Sequence, residues 1–90
     1  MDIPEPTMGI TIYAKSSCGY CSKAKKLLPK AFVVDCDQYL DKNKDTFLRT
    51  MDRLTSQSYR TFPMVFINKR FIGGYQDIKE YIDFNLNEDF

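Results

Sequence analysis

The sequence predicts an α/β fold: a four-stranded mixed sheet flanked by three helices, in the order β-α-β-α-β-β-α. A β-branched and aromatic run over residues 9–14 is followed closely by apolar residues at helical spacing over residues 20–28. Two apolar runs, 64–67 and 70–72, are separated by only two residues, which is typical of a hairpin. Two glycines then precede a last helical pattern over residues 76–86.

The remaining elements follow from breakers and periodicity. Residues 1–8 contain two prolines and are predicted to form a flexible leader. Pro29 ends the first helix, and residues 31–34 form a second short strand. The first two strands should be parallel because a helix connects them. A second helix is predicted over residues 43–56, and its buried stripe comprises Phe47, Leu48, Met51 and Leu54.

Length and charge limit the classes of function. Ninety residues suffice for one domain, predicted over residues 9–90. The net charge of +1 favours neither nucleic acid nor a membrane surface. However, residues 6–34 contain five lysines and no acidic residue, so this half should attract a small anionic substrate. A solvated helix face is the alternative explanation for the four lysines that follow residue 21.

The N-terminus and the cysteine count indicate the compartment. The first seven residues lack the apolar segment of a signal peptide, and no stretch is long enough to span a bilayer. Three cysteines do not suggest a structural disulfide framework. We therefore expect a reducing compartment, the cytoplasm.

Two of the cysteines, Cys18 and Cys21, lie between the first strand and the first helix, where a pair at this spacing is typical of a redox dithiol. The helix N-terminus and Lys15 should both lower the pKa of the Cys18 thiol, which makes Cys18 the nucleophile. Cys21, one turn into the helix, is suited to resolving a mixed disulfide. Half a zinc site is the alternative, but zinc needs four ligands and the chain has three cysteines and no histidine. Cys36 has no such partner and is predicted to be a small semi-buried residue.

Three motifs occur in a consistent order: Cys18-Gly19-Tyr20-Cys21 before a helix, Thr61-Phe62-Pro63 before a strand, and Gly73-Gly74-Tyr75-Gln76-Asp77 before the last helix. Together they resemble a glutaredoxin of the dithiol type, in the thioredoxin-fold superfamily, over residues 9–86. The resemblance implies a glutathione-dependent thiol–disulfide oxidoreductase. Such an enzyme reduces protein disulfides and glutathione mixed disulfides through its dithiol, in electron transport and cell redox homeostasis.

The resemblance also implies how glutathione, the reductant, is bound. Lys15 would face the glycine carboxylate, and the ring of Tyr20 would support the tripeptide. Phe62, before a proline that is cis in the family, would pair with the glutathione cysteine like an added strand. The start of the last helix would hold the γ-glutamyl end, with Asp77 on its ammonium group. The implied binding residues are Lys15, Tyr20, Thr61, Phe62, Pro63, Gly74, Tyr75, Gln76 and Asp77.

Several alternatives stay open. Lys15 is also compatible with a plain surface role, Tyr20 with helix packing, and Asp77 with a helix N-terminal acid. Many dithiol members have proline at the position of Gly19, and some members with a small residue there hold a [2Fe–2S] cluster between two subunits with glutathione, through the residue equivalent to Cys18. A thioredoxin-like donor reduced by a flavoprotein reductase is the other alternative. We expect a monomer that acts on disulfide-bearing or glutathionylated proteins, ribonucleotide reductase being a frequent client of the family.

Overall fold

The computed structural model describes residues 2–86 and confirms the predicted α/β fold with its four-stranded mixed sheet. It adds one short helix, α2, that the periodicity did not predict. Among the described residues, no helix is both long enough and apolar enough to cross a membrane. The elements are β1 Ile10–Ala14, α1 Gly19–Leu27, β2 Phe32–Asp35, α2 Asp37–Lys42, α3 Lys44–Thr55, β3 Met64–Ile67, β4 Arg70–Gly73 and α4 Tyr75–Leu86.

The sheet has the strand order β2-β1-β3-β4. The β1 and β2 strands are parallel, as their helical connection requires, and Ile12 lies opposite Val33. On its other side β1 pairs with β3 in the antiparallel direction. The predicted hairpin joins β3 to β4 through Asn68 and Lys69, whose φ values of 49° and 71° are those of a turn compatible with strand twist.

These strand directions bring four connections to one edge of the sheet. The carboxyl ends of β1 and β2 lie together, since Ala14 is opposite Asp35. Because β3 is antiparallel to β1, its first residue, Met64, lies at this same edge, opposite Tyr13. The β4 strand reverses direction again and ends there at Gly73. All three sequence motifs therefore meet at this edge.

Two apolar clusters cover the two faces of the sheet. The alternation along β1 sends Ile12 to one cluster and Tyr13 to the other. The first cluster packs α1 and α4 through Cys21, Ala24 and Ile78, and the second packs α3 through Phe47 and Met51. Both resulting helix positions matter for the site, because α1 and α4 begin at the edge where the motifs meet.

The helix α2 escapes the sequence prediction for a physical reason. It is six residues long and has no buried residue, so no apolar stripe marks it. Asn43, with φ of −140°, separates it from α3, which begins at Lys44 and not at residue 43. Tyr39 of α2 stacks on Phe47 of α3, with ring centroids 6.0 Å apart. This contact holds α2 against the second cluster.

Residues 2–8 form no helix or strand, but they lie against the domain. The buried Tyr13 hydroxyl donates a hydrogen bond of 2.6 Å to the Pro4 carbonyl oxygen. Glu5 pairs with Arg53 at 2.7 Å, an exposed ion pair. The flexibility of this leader stays a prediction, and these contacts place the segment beside β1 and α3.

Candidate active site

Cys18 occupies the cap position at the N-terminus of α1, with an extended backbone. The Cys18 Sγ accepts a hydrogen bond of 3.2 Å from the Cys21 backbone N–H, and a disulfide joins the two residues, whose Cα atoms are 5.2 Å apart. The first turn of α1 contains no acidic residue. The positive end of the helix is therefore not neutralised locally, and in the reduced protein it stabilises a thiolate at Cys18.

The three cysteines differ strongly in exposure. Cys18 is partly exposed, whereas Cys21 is 1% exposed and packs in the first apolar cluster. An incoming sulfur can therefore reach Cys18 and not Cys21. Cys36 is fully buried, more so than predicted, and burial raises its pKa to about 12, helped by the charges of Asp35 and Asp37. It stays a thiol near neutral pH and takes no part in the exchange.

The loop that leads to Cys18 is held by Asp37, the first residue of α2. Its Oδ1 accepts a hydrogen bond of 2.9 Å from the Ser16 backbone N–H. The hydrogen bonds from Ser16, and then the charges of Lys15 and Lys25, lower the pKa of this carboxyl below its ordinary value. The next residue, Ser17, has a positive φ of 53°. Asp37 thus fixes a tight turn directly before the nucleophile.

A cavity of about 620 Å³ opens at this edge of the sheet beside Cys18. Every binding or catalytic residue predicted from the sequence lines it, except Cys21 and Pro63, which are buried beneath. The lining also includes four residues that the sequence reasoning did not select. The complete set is Lys15, Ser17, Cys18, Gly19, Tyr20, Tyr59, Arg60, Thr61, Phe62, Gly74, Tyr75, Gln76 and Asp77.

The Phe62 backbone runs beside the nucleophilic sulfur. The Phe62–Pro63 peptide bond is cis, as the resemblance implies, and the Phe62 carbonyl oxygen is 3.8 Å from Cys18 Sγ. The Lys15 ammonium nitrogen lies 5.8 Å from the centroid of the Phe62 ring. A peptide joined to Cys18 through its own cysteine would therefore lie along the Phe62 backbone, with Lys15 nearby.

The start of α4 forms the opposite wall, and its two glycines are required by close contacts. Gly73 has φ of 137°, and a Cβ there would overlap the Asp77 carboxylate. A Cβ on Gly74 would lie 2.7 Å from the Tyr59 hydroxyl oxygen. The Asp77 Oδ2 in turn accepts a hydrogen bond of 3.0 Å from the Gly74 N–H, which caps the helix. Tyr59 escaped the prediction because it lies in a polar loop without periodicity.

Two tyrosines line the cavity near the dithiol. Tyr20 and Tyr75 stack with ring centroids 5.7 Å apart, and Lys23 Nζ lies 5.2 Å from the Tyr20 centroid and 5.9 Å from that of Tyr75. Tyr20 is 59% exposed, so its ring is available to a ligand. Its packing against Tyr75 also shows that helix contact and ligand contact are compatible at this position.

Comparison with known proteins identifies the family. The sequence model of the glutaredoxin family matches residues 10–72. The chain belongs to the glutaredoxin family. This glutaredoxin is 36% identical over 74 residues to the mitochondrial glutaredoxin-2 of the mouse, Mus musculus. That match covers 76% of this chain and 44% of the mouse protein, so the chain spans less than half the length of that relative.

Solved glutaredoxin structures agree with the fold. Glutaredoxin 1 from Francisella tularensis, complexed with cacodylate, has a TM-score of 0.73 and 26% identity, and the match covers 90% of this chain and 99% of that one. The buckwheat glutaredoxin–glutathione complex has a TM-score of 0.69 and 30% identity, with coverage of 84% and 69%. The thioredoxin-like fold implied by the three motifs is thus confirmed.

Proposed function

We propose that the cavity binds glutathione as reductant and that Cys18 exchanges disulfides with it. The family makes this chain a glutathione-dependent thiol–disulfide oxidoreductase. The observation that carries the proposal is the position of Cys18, whose sulfur lies at the N-terminus of α1, beside the Phe62 backbone and in one cavity with the start of α4. These are the groups needed to hold a peptide across an exposed thiolate.

Glutathione binding follows from the groups around the cavity. The Lys15 ammonium pairs with the glycine carboxylate, and the Phe62 backbone pairs with the cysteine of glutathione. At the other end, backbone N–H groups at Tyr75 and Gln76 accommodate the γ-glutamyl carboxylate at the N-terminus of α4. Asp77 pairs with the γ-glutamyl ammonium while it caps the helix.

The reaction begins with the reduced dithiol. The Cys18 thiolate attacks one sulfur of a substrate disulfide, a new S–S bond forms, the old one breaks, and the leaving thiolate takes a proton from water. For a protein disulfide, the Cys21 thiol loses its proton to water and its thiolate attacks Cys18 Sγ, which releases the reduced substrate and closes the Cys18–Cys21 disulfide. Two glutathione thiols then reduce this disulfide and leave as glutathione disulfide, beginning at the exposed sulfur of Cys18.

The setting of the reaction is also part of the proposal. A cytoplasmic, glutathione-rich compartment supplies the reductant and suits a role in electron transport to glutathionylated or disulfide-bearing proteins, ribonucleotide reductase among them, by a monomer. A [2Fe–2S] cluster does not fit one chain, because among residues 2–86 no three metal-ligating side chains cluster and Cys18 is the one accessible thiol. No step is assigned to such a cluster.

A coupled assay tests the proposal. Reduction of a glutathione mixed disulfide should proceed with glutathione, its reductase and NADPH, and should be lost in Cys18→Ser. Full activity in Cys18→Ser would contradict the mechanism. Turnover with thioredoxin reductase alone would favour the thioredoxin-like alternative, and a brown, dimeric protein after anaerobic purification with glutathione would favour the cluster carrier.

A further inference from the structure

A second groove lies next to the glutathione cavity, and the proposed glutathione pose leaves it empty. It has a volume of about 450 Å³ and is bounded by α2, α3 and the start of β3. We call it the α2–α3 groove. Its lining residues are Lys15, Leu40, Lys44, Leu48, Arg60, Phe62 and Met64.

The groove has an apolar floor and a cationic rim. Leu40, Leu48 and Phe62 are half-buried and Met64 is buried, so the floor offers apolar surface to a ligand. The polar residues of the lining are Lys15, Lys44 and Arg60, all exposed, and no acidic side chain belongs to it. Asp52 pairs with Arg60 at 2.7 Å, but it lies outside the lining. A complementary ligand therefore combines a negative charge with a bulky apolar group.

The groove continues the glutathione cavity without a break. Lys15, Arg60 and Phe62 line both. In the proposed pose the glycine end of glutathione points to Lys15, so glutathione stops where the groove begins. A polypeptide bound through its cysteine in the same direction continues past Lys15 and Phe62. The residues that follow its cysteine would enter the groove.

From this continuity we infer that the α2–α3 groove selects protein disulfides in which the reactive cysteine is followed by an acidic and a bulky apolar residue. This inference rests on the proposed function, because it uses the same nucleophile and the same peptide direction. The acidic side chain pairs with Lys44 and Lys15, and the apolar one packs on Leu40 and Leu48. Selection then acts on the mixed disulfide between Cys18 and the polypeptide.

Disulfide-linked peptide dimers provide the test. In the forward peptide, aspartate and leucine follow the cysteine. In the reversed peptide, the same two residues precede it, so charge and composition are matched. The wild-type enzyme, turning over with glutathione and glutathione reductase, should reduce the forward dimer with a kcat/KM about fivefold higher, the value of one exposed ion pair with some apolar contact.

Matched variants locate the effect. Lys44→Glu should abolish the preference for the forward dimer, because it reverses the charge on the groove rim. Lys42→Glu makes the same charge change two residues away, at an exposed position outside the groove lining, and should keep the preference. Both variants should reduce the small mixed disulfide of glutathione and mercaptoethanol at the wild-type rate, since that substrate does not reach the groove.

The outcomes separate the inference from the function on which it rests. Equal rates for the forward and reversed dimers would overturn the inference while leaving the function intact. Equal loss of preference in Lys44→Glu and Lys42→Glu would also overturn it, by showing a general charge effect. A wild-type dimer that Lys44→Glu dissociates would identify a second copy of this chain as the occupant instead. Failure to reduce even the small mixed disulfide would contradict the proposed function itself.

Discussion

Asp77 has two functions in this site that one substitution can separate. Its carboxylate caps α4 by accepting the 3.0 Å hydrogen bond from Gly74 N–H, and in the proposed pose it also pairs with the γ-glutamyl ammonium. Asp77→Asn retains an oxygen that accepts the hydrogen bond but removes the charge. Because Asp77 is exposed, solvent screens the ion pair, and we assign it about 1 kcal/mol. That energy corresponds to a roughly fivefold increase in KM for glutathione.

The assay varies glutathione in the coupled reaction and follows urea unfolding of the same proteins. Asp77→Asn should raise KM with little change in stability, whereas Asp77→Ala should also lose about 1 kcal/mol of unfolding free energy with the cap. Asp83→Asn, an exposed substitution on the same helix outside the cavity, is the control and should change neither. If Asp77→Asn leaves KM at the wild-type value while Asp77→Ala raises it, the residue is a helix cap and not a ligand.

Three further predictions follow from the same contacts. Cys21→Ser should still reduce glutathione mixed disulfides but lose reduction of peptide disulfide dimers in the coupled assay, because the resolving thiol is missing. Tyr13→Phe removes the 2.6 Å hydrogen bond to Pro4 and should lower the unfolding free energy by about 1 kcal/mol in urea titrations; no change would mean that the leader is detached in solution. Folding lowers the pKa of Asp37, so its charge stabilises the fold above the ordinary aspartate value of about 3.9 and loses this effect as the pH falls through the lower folded value. Asp37→Asn should therefore be less stable than wild type at pH 6 but not at pH 2, by urea unfolding at both.

The predictable parts of the fold were those that repeat along the sequence. The apolar stripe of α3 was visible because Phe47 and Met51 are one helical turn apart, and both are fully buried. The hairpin was visible because only two residues separate its strands, and Asn68 and Lys69 both adopt positive φ. In each case burial or turn geometry imposes a constraint on neighbouring positions, which a single sequence records.

The site was predictable to the extent that its residues belong to local motifs. Cys18, Phe62 and Asp77 lie in three short segments whose spacing carries meaning by itself. Tyr59 and Asp37 do not, because each contributes a contact to a distant segment: Tyr59 to Gly74, and Asp37 to the loop before Cys18. Contacts of this kind depend on the sheet edge that brings the segments together, and no periodicity announces them.

The short helix α2 shows what such an unannounced element contributes. Its first residue, Asp37, holds the turn before the nucleophile, and Leu40 forms part of the floor of the α2–α3 groove. Since the glutathione cavity includes no residue of α2, the helix bears on the small substrate only through that turn. Leu40 contacts the site only where a longer polypeptide would lie. Substitution of Leu40 by alanine should therefore reduce the discrimination between forward and reversed peptide dimers while sparing KM for glutathione. An equal loss of both would mean that α2 acts on the site as a whole and not on the polypeptide alone.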